Sequence, residues 1–243
     1  MTMELPFLVA HRGASSIAPE NTLAAFRLAL DLRADGIELD VHMTADNEIV
    51  VIHDSTVDRT TGFPGRVGQM TSSALKALDA GSWFNSAFPD KARPEYTGLR
   101  IPLLREVLEL VRGRARLYIE IKDPDLYPGD FESRLLSIVR EHRMENSVAF
   151  LSFSRRSLRK IRRADPSTTV ALLISRLSGD PIKSARALGA AALAVSFRVL
   201  NDGFAAEIRE AGLGIIAWTV DDAGDIRRIK SMRVDSVITN VVK

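Results

Sequence analysis

Cysteine is absent from this chain of 243 residues, and its absence excludes several kinds of chemistry. Without thiols there are no disulfides, no thiolate metal sites and no cysteine nucleophile. The sequence also lacks any run of 18 apolar residues and any glycine pattern of the form GxGxxG or GxxxxGKS. We therefore expect no membrane-spanning helix and no phosphate-binding loop of those two kinds, and the short apolar run before His11 does not predict a signal peptide.

An excess of charge of one sign is missing as well. Lys and Arg number 33 and Asp and Glu 31, so the net charge is +2 at pH 7. Nucleic acid is not an expected partner, because binding it requires an extended basic surface. The one basic cluster, at 155–163, has the spacing of the solvated face of an amphipathic helix. We predict a soluble cytoplasmic protein without stable membrane insertion, either a monomer or a homo-oligomer.

Apolar, strand-like runs alternate with segments of helical period along most of the chain. The strand-like runs begin near residues 7, 36, 116, 147, 169, 191, 214 and 235. Eight βα units in about 250 residues are the number found in a (β/α)8 barrel, or TIM barrel, so this α/β fold is predicted. A further run at 49–52 follows the second strand too closely for a parallel crossover, which predicts a β-hairpin after strand 2.

The alternation stops between residues 55 and 100, where Gly, Pro and Thr are frequent. One short helix is predicted there, near 72–78, together with the aromatic pair Trp83-Phe84. A loop of this length is unusual unless it is functional or forms a small subdomain. We therefore predict one domain over residues 1–243, with an insertion subdomain at about 55–100 whose aromatic pair packs against the barrel.

Ionisable side chains stand where several of the predicted strands end, which is where TIM barrels place their active sites. They are His11 and Arg12 after the first strand, Glu38 and Asp40 on the second, His53 after the hairpin, and Glu120 and Lys122 on the third. The seventh strand ends in an aromatic residue, Trp218. Residues two apart point to the same face of a strand. Glu38 and Asp40 therefore share one face, and so do Glu120 and Lys122. The other histidine of the hairpin, His42, is expected to be exposed to solvent.

Three carboxylates in a partly buried site repel one another unless a cation joins them. Carboxylates without cysteine suit a hard divalent cation, Mg²⁺ or Ca²⁺, with Mn²⁺ as an alternative. With a divalent ion and the charges of Arg12 and Lys122, the site carries one surplus positive charge, which a phosphodiester monoanion would neutralise. Two histidines beside such a metal suit acid–base cleavage of a phosphate ester.

Eight short segments of the chain together resemble the motifs of the glycerophosphodiester phosphodiesterases. The resemblance runs in order from residue 11 to residue 240. The matching segments are HRG at 11–13, PENT at 19–22, ELDV at 38–41, VIHD at 51–54, IPLL at 101–104, EIK at 120–122, WTV at 218–220 and ITN at 238–240. One departure is Asn240, which stands where aspartate is more often expected, and we assign it a structural hydrogen bond.

The resemblance implies a TIM barrel with an insertion after the His-Asp segment. It implies metal-dependent hydrolysis of small-molecule glycerophosphodiesters to sn-glycerol 3-phosphate and an alcohol. It also implies the roles of the residues: His11 and His53 as the acid–base pair, Glu38, Asp40 and Glu120 as metal ligands, and Arg12, Lys122 and Trp218 as substrate-binding residues. Which histidine is the acid and which the base stays open.

Two other functions compete with this one. A lysophospholipase D-like enzyme acting on lipid phosphodiesters requires an exposed apolar rim or an interfacial helix. A non-catalytic barrel that only binds phosphorylated ligands does not require both histidines together with three carboxylates. Activity toward glycerophosphocholine but not toward lysophosphatidylcholine would distinguish the glycerophosphodiesterase from the lysophospholipase D-like enzyme. Affinity for phosphate esters without any turnover would identify the non-catalytic barrel.

Overall fold

The computed structural model describes residues 8–122, 124–127 and 130–242, and nine β-strands are assigned within them. Phe7, where the first strand was expected to begin, lies outside the described residues. The other predicted starts agree with the structure to within one residue. The strands are β1 (Leu8–His11), β2 (Gly36–Met43), β3 (Ile49–Val51), β4 (Arg116–Ile121), β5 (Val148–Ser152), β6 (Thr169–Ile174), β7 (Ala192–Ser196), β8 (Gly214–Trp218) and β9 (Ser236–Thr239).

Eight of these strands form a closed parallel ring, which confirms the predicted TIM barrel. The order around the ring is β1-β2-β4-β5-β6-β7-β8-β9, and β9 pairs with β1 again. The ninth, β3, lies outside the ring and pairs antiparallel with β2, as the hairpin prediction required. After β3 the backbone N–H of Ile52 donates to the carbonyl of Asp40 at 3.0 Å. The chain has therefore returned to the level of Asp40 when it reaches His53.

Helices surround the barrel, and most of them begin at a side chain that caps the first turn. Thr22, Ser154, Asp180, Asn201 and Asp222 each accept a hydrogen bond from a backbone N–H two or three residues later, which satisfies a donor that the helix leaves unpaired. The helices are α1 (Leu23–Asp31), α2 (Asp58–Thr61), α3 (Ser72–Ala77), α4 (Ser82–Ala87), α5 (Leu104–Val111), α6 (Phe131–Glu141), α7 (Arg155–Ala164), α8 (Pro181–Leu188), α9 (Asp202–Glu210) and α10 (Ala223–Ser231).

Two apolar layers support the barrel, because alternate residues of each strand face opposite sides. The larger layer lies between the strands and the outer helices. The smaller layer fills the inside of the ring and is formed by residues such as Val9, Tyr118, Leu151, Ile216 and Ile238. Glu38, Asp40 and Glu120 continue the inward-facing series of β2 and β4, so they stand above an apolar floor at the carboxyl end.

The segment between β3 and α5 contains three short α-helices, α2, α3 and α4, besides turns of 3-10 helix, where one helix was predicted. Helices of four to six residues have too few turns to produce a recognisable period in the sequence. The segment packs in two places, with Val57 and Leu75 against Val50 of the hairpin, and with Phe84 against Ala25 of α1. Phe84 is 1% exposed, so the predicted packing of the aromatic pair on the barrel is confirmed for that residue.

No helix in the described part of the chain combines the length and the apolar character that crossing a lipid bilayer requires.

Candidate functional site

The register of the strands brings the predicted carboxylates together. His11 lies opposite Glu38 across β1 and β2, and Asp40 lies opposite Glu120 across β2 and β4. All three carboxylate side chains are buried, and one oxygen from each lies within 4.8 Å of the others. Oxygen atoms from two neighbouring strands therefore meet at one point above the barrel floor.

Two cations contact this cluster of carboxylates. Lys122 Nζ lies 2.7 Å from Glu120 Oε1 and 3.2 Å from Asp40 Oδ1. Arg12 Nε lies 3.2 Å from Asp40 Oδ2, while its Nη1 donates to Glu20 Oε1 at 2.9 Å. Two positive charges thus face three carboxylates, and a further positive charge is needed before all three can be ionised at low cost.

The pKa is lowered for one of the three carboxyl groups, Asp40, and raised for the other two, Glu38 and Glu120. Burial tends to raise the pKa of Asp40, but Lys122 and Arg12 overcome this effect and hold it well below its usual value. Burial, followed by the charge of Asp40, raises the pKa of Glu120 to about 7, and the same two causes raise that of Glu38 well above its usual value. Protons therefore occupy part of the cluster near neutral pH when no metal ion is bound.

This arrangement fits a divalent cation. The donors are carboxylate oxygens, the chain has no thiol, and the surplus negative charge is held away from water. Hard divalent ions prefer such a set of ligands. Glu38, Asp40 and Glu120 could therefore hold one metal ion.

His11 is oriented by an amide at the far end of the chain. Asn240 Nδ2 donates to Asp221 Oδ2 at 2.7 Å, so Asn240 Oδ1 accepts from His11 Nδ1 at 2.7 Å. The neutral ring thus carries its proton on Nδ1, and Nε2 lies 3.9 Å from Glu38 Oε2. Burial and then Arg12 lower the pKa of His11 to about 4, which keeps the ring neutral at pH 7. The structural hydrogen bond that we assigned to Asn240 is therefore made to His11, one of the predicted site residues.

His53 has a carboxylate behind it instead of an amide. Its Nδ1 lies 2.6 Å from Asp54 Oδ1, and Arg59 Nε donates to Asp54 Oδ2 at 2.6 Å. Arg59 is itself held by Glu20 through two contacts of 2.8 and 2.9 Å. Burial lowers the pKa of His53, whereas Asp40 and the hydrogen bond to Asp54 oppose that shift. The two histidines therefore stand in different electrostatic settings.

Residues 19–22 contribute more to the site than their sequence suggested. Glu20 joins Arg12 to Arg59, as described above, and Asn21 Nδ2 donates to Asp40 Oδ2 at 2.8 Å. Asn21 has a φ of 55°, a left-handed conformation that asparagine adopts more readily than most residues. The PENT motif was the feature of the sequence that could have identified Glu20 and Asn21 as site residues. These two residues precede α1, and their side chains lie at the carboxyl ends of β1 and β2.

His42 was expected to be exposed, and that expectation is wrong. The side chain is fully buried, and its Nε2 donates to the backbone carbonyl of His53 at 3.0 Å. Its Nδ1 is hydrogen-bonded to the Tyr127 hydroxyl. The loop after β4 covers this face of the hairpin, and a local reading of the sequence could not place that loop there.

The predicted site residues share one chamber of about 180 Å³ at the mouth of the barrel. Seven of the eight line it, and Asp40 lies beneath its surface. Trp218 forms one wall, and its ring meets that of Phe153 edge-on at 5.8 Å. Phe153 was not among the predicted site residues, because a single aromatic residue after a strand carries no specific signal. The seven are His11, Arg12, Glu38, His53, Glu120, Lys122 and Trp218.

The model of the glycerophosphoryl diester phosphodiesterase family matches residues 11–243 of this chain. The chain belongs to this family. The match covers both ends of the motif series, from His11 to the segment after β9. The phosphodiesterase family and the enzyme class that the sequence motifs implied are thereby confirmed.

Curated relatives and solved structures of the family cover nearly all of the chain. A glycerophosphodiester phosphodiesterase of Bacillus subtilis is 39% identical over 245 residues, which are 96% of this chain and 82% of the relative. One from Caldanaerobacter subterraneus is 39% identical over 235 residues, 96% of this chain and 93% of the relative. An Oleispira antarctica phosphodiesterase, solved with the product sn-glycerol-3-phosphate, superposes with a TM-score of 0.90 at 26% identity, covering 98% of this chain and 94% of that one.

Proposed function

We propose that this protein hydrolyses glycerophosphodiesters to sn-glycerol 3-phosphate and an alcohol, with one divalent cation held by Glu38, Asp40 and Glu120. The observation that carries the proposal is the meeting of three buried carboxylates, two histidines and two basic side chains at the mouth of a barrel of this family. We propose Mg²⁺ or Ca²⁺, with Mn²⁺ as an alternative, because the ligands are carboxylate oxygens. The names of the curated relatives and the product bound by the Oleispira enzyme support the choice of substrate.

Arg12 and Lys122 are the proposed phosphate-binding residues. With three carboxylates, a divalent cation and these two basic groups, the site has one surplus positive charge, which a phosphodiester monoanion balances. Trp218 and Phe153 offer apolar surface for the carbon atoms of the glycerol. When bound, the cation polarises the phosphoryl group and neutralises the charge that develops in the transition state.

We propose that His11 accepts the first proton and His53 donates the second. His11 is neutral, and its hydrogen bond to Asn240 leaves the lone pair of Nε2 free to take a proton from the attacking hydroxyl of water or of the substrate glycerol. Burial lowers the pKa of His53, but its hydrogen bond to Asp54 opposes that shift, so the protonated ring has a carboxylate partner that His11 lacks at its own Nδ1. From that form Nε2 can protonate the departing alkoxide.

A coupled assay of glycerol 3-phosphate release tests the function. We expect turnover of glycerophosphocholine, glycerophosphoethanolamine or glycerophosphoglycerol that EDTA abolishes and one of the three cations restores. His11→Ala and His53→Ala should each lower kcat by about 10²- to 10⁴-fold while circular dichroism and Tm stay near wild type. Near wild-type kcat in either variant would contradict the role of that histidine.

The division of roles between the histidines has its own test. In glycerophospho-p-nitrophenol the leaving phenolate needs no proton, so a missing general acid matters less. His53→Ala should therefore regain most of its lost activity on this substrate, and His11→Ala should not. Equal recovery in both variants would contradict the assignment.

A lysophospholipase D-like activity is the second candidate. Phe153 and Leu126 are 48% and 55% exposed beside the cleft, which is the kind of apolar surface that a lipid tail could contact. Choline release from lysophosphatidylcholine at a rate comparable to that from glycerophosphocholine would favour it. A barrel that only binds phosphorylated ligands would show affinity and no turnover with any of the cations.

We also propose that residues 1–243 form one phosphodiesterase domain with an insertion at about 55–100. Support comes from the contacts of that segment with the rest of the chain. Arg59 of α2 contacts Glu20, and Phe84 of α4 packs on Ala25. Limited proteolysis should therefore yield no separately folded fragment of this segment.

A further inference from the structure

Three cavities follow one another from the centre of the barrel mouth to its edge. The inner chamber of about 180 Å³ shares His53, Lys122 and Phe153 with an outer cleft of about 870 Å³. The outer cleft in turn shares Ser55 and Leu126 with a side pocket of about 250 Å³. Because the inner chamber ends at the barrel floor, the outer cleft and the side pocket offer space for the leaving alcohol of a phosphodiester bound in that chamber.

The side pocket is lined by polar side chains that form no hydrogen bond or ion pair with the residues that the structure describes, and two of them, Arg66 and Gln69, are exposed to solvent. Ser55, Arg66 and Gln69 line it, and none has a side-chain hydrogen bond or ion pair with another residue that the structure describes. This sets Arg66 apart from Arg12 and Arg59 nearer the reaction centre, which are both paired with carboxylates. A positive charge, an amide and a hydroxyl are thus available to a ligand at the end of the cleft.

The backbone that carries these groups is well packed. The segment begins with a β-bridge between Thr56 and Arg66 and continues as a turn of 3-10 helix over Val67–Gln69. Val67 is fully buried, and a Cβ atom at Gly68 would lie 3.1 Å from the Tyr127 ring. The backbone at Gly68 therefore lies close to Tyr127, which limits the movement of the segment that carries Arg66 and Gln69.

We infer that this side pocket binds an anionic group carried by the leaving alcohol. The inference rests on the proposed function and names its substrate class: glycerophosphodiesters whose alcohol bears a second negative charge, such as a further phosphate. Arg66 supplies the opposite charge, and Gln69 and Ser55 supply hydrogen bonds. Arg66 is then a specificity-determining residue outside the reaction centre.

Two related substrates test the inference. Glycerophosphoglycerol and bis(glycerophospho)glycerol release the same product, but only the second carries another phosphodiester on its leaving alcohol. Per scissile end, we expect wild type to have about tenfold higher kcat/KM for the second, the effect of one charge-assisted contact. Arg66→Gln should lose this preference and stay within about twofold of wild type on glycerophosphoglycerol. The preference should also shrink between low and high salt, because the pocket is open to solvent.

Arg176→Gln is the matched control, since Arg176 is an exposed arginine after β6 that lines none of the three cavities. It should keep the wild-type ratio. Equal kcat/KM for the two substrates in wild type, or an unchanged ratio in Arg66→Gln, would overturn the inference while leaving the proposed function intact. No release from either substrate by wild type would contradict the proposed function, and the inference with it.

Discussion

The buried side chain of His42 illustrates how single residues support the site from behind. It connects the backbone of His53 to Tyr127, which lies in the loop after β4. His11 has a comparable support in Asn240 and Asp221. Each histidine of the site is therefore held at an atom that does not face the substrate, and the direction of its free nitrogen depends on that support.

Removing the Tyr127 hydroxyl should disturb catalysis more than folding. Tyr127→Phe keeps the ring, which packs edge-on against Phe131 at 5.1 Å, and loses the hydrogen bond to His42. We expect kcat to fall about tenfold with little change in KM, because His53 is less well placed. The free energy of unfolding should drop by about 1 kcal/mol, as for one buried hydrogen bond.

Tyr96→Phe is the control for this prediction. Its hydroxyl donates to the carbonyl of Ile17 at 2.8 Å, away from the site. A similar loss of stability with unchanged kcat is expected there. If Tyr127→Phe also left kcat unchanged, His42 would have no positioning role.

At the scale of elements, the segment between β3 and α5 closes one side of the barrel. Its helices α2 and α4 stand over the amino-terminal end of α1, where Arg59 contacts Glu20 and Phe84 contacts Ala25. Arg59 also lies 5.9 Å from the Trp83 ring centroid, which connects α4 with the support of Asp54. The segment therefore contributes both apolar packing and charges to the side of the site that carries His53.

Phe84→Ala should destabilise the protein by about 3 kcal/mol. The ring is 1% exposed, so its removal leaves a cavity against α1 in addition to the lost burial. Phe88→Ala is the comparison, since Phe88 is 42% exposed in the same segment and should cost about 1 kcal/mol. Urea unfolding followed by fluorescence measures both values. Equal costs in the two variants would show that Phe84 does not anchor the segment.

At the scale of the whole molecule, the unbalanced carboxylates connect the stability of the barrel to pH. Near neutral pH, folded Glu120 binds more protons than unfolded Glu120, because its pKa is raised to about 7 in the fold. Stability therefore falls as pH rises wherever the folded state holds the extra proton. A bound cation reverses this cost, because it favours the ionised carboxylates of β2 and β4.

Relative to the metal-free Glu120→Gln variant, we expect the metal-free wild type to lose on the order of 2 kcal/mol of stability between about pH 5 and pH 8. The comparison with the variant removes the opposite pH dependence of His11, whose pKa is lowered to about 4 in the fold. With saturating Mg²⁺ or Mn²⁺ this loss should disappear, and the metal-induced rise in Tm should be larger at pH 8 than at pH 6. Glu120→Gln removes the group concerned while keeping its size, so the metal-free variant should be at least as stable as wild type at pH 8 and respond much less to metal. Equal metal-induced shifts in both proteins would exclude Glu120 as a ligand.

The local pattern of the chain was sufficient for its architecture. Apolar runs and helical periods depend on neighbours within a few residues, so the eight barrel strands and the hairpin after β2 could be predicted from them. The residue type at each strand end was also local information, and parallel strands bring their carboxyl ends to one side of a barrel. For this reason seven of the residues that line the inner chamber could be named before their distances were known, whereas Phe153 could not.

Tertiary structure alone decided which side chains support that chamber and what lies beyond it. The contact of His11 with Asn240 spans 229 positions, and that of His42 with Tyr127 spans 85. Such contacts depend on how the ring closes and how loops cross it, and no periodicity in the sequence records either. The side pocket at Arg66 arises in the same way, because it is formed by two segments that are distant in the chain and meet only when the barrel has folded.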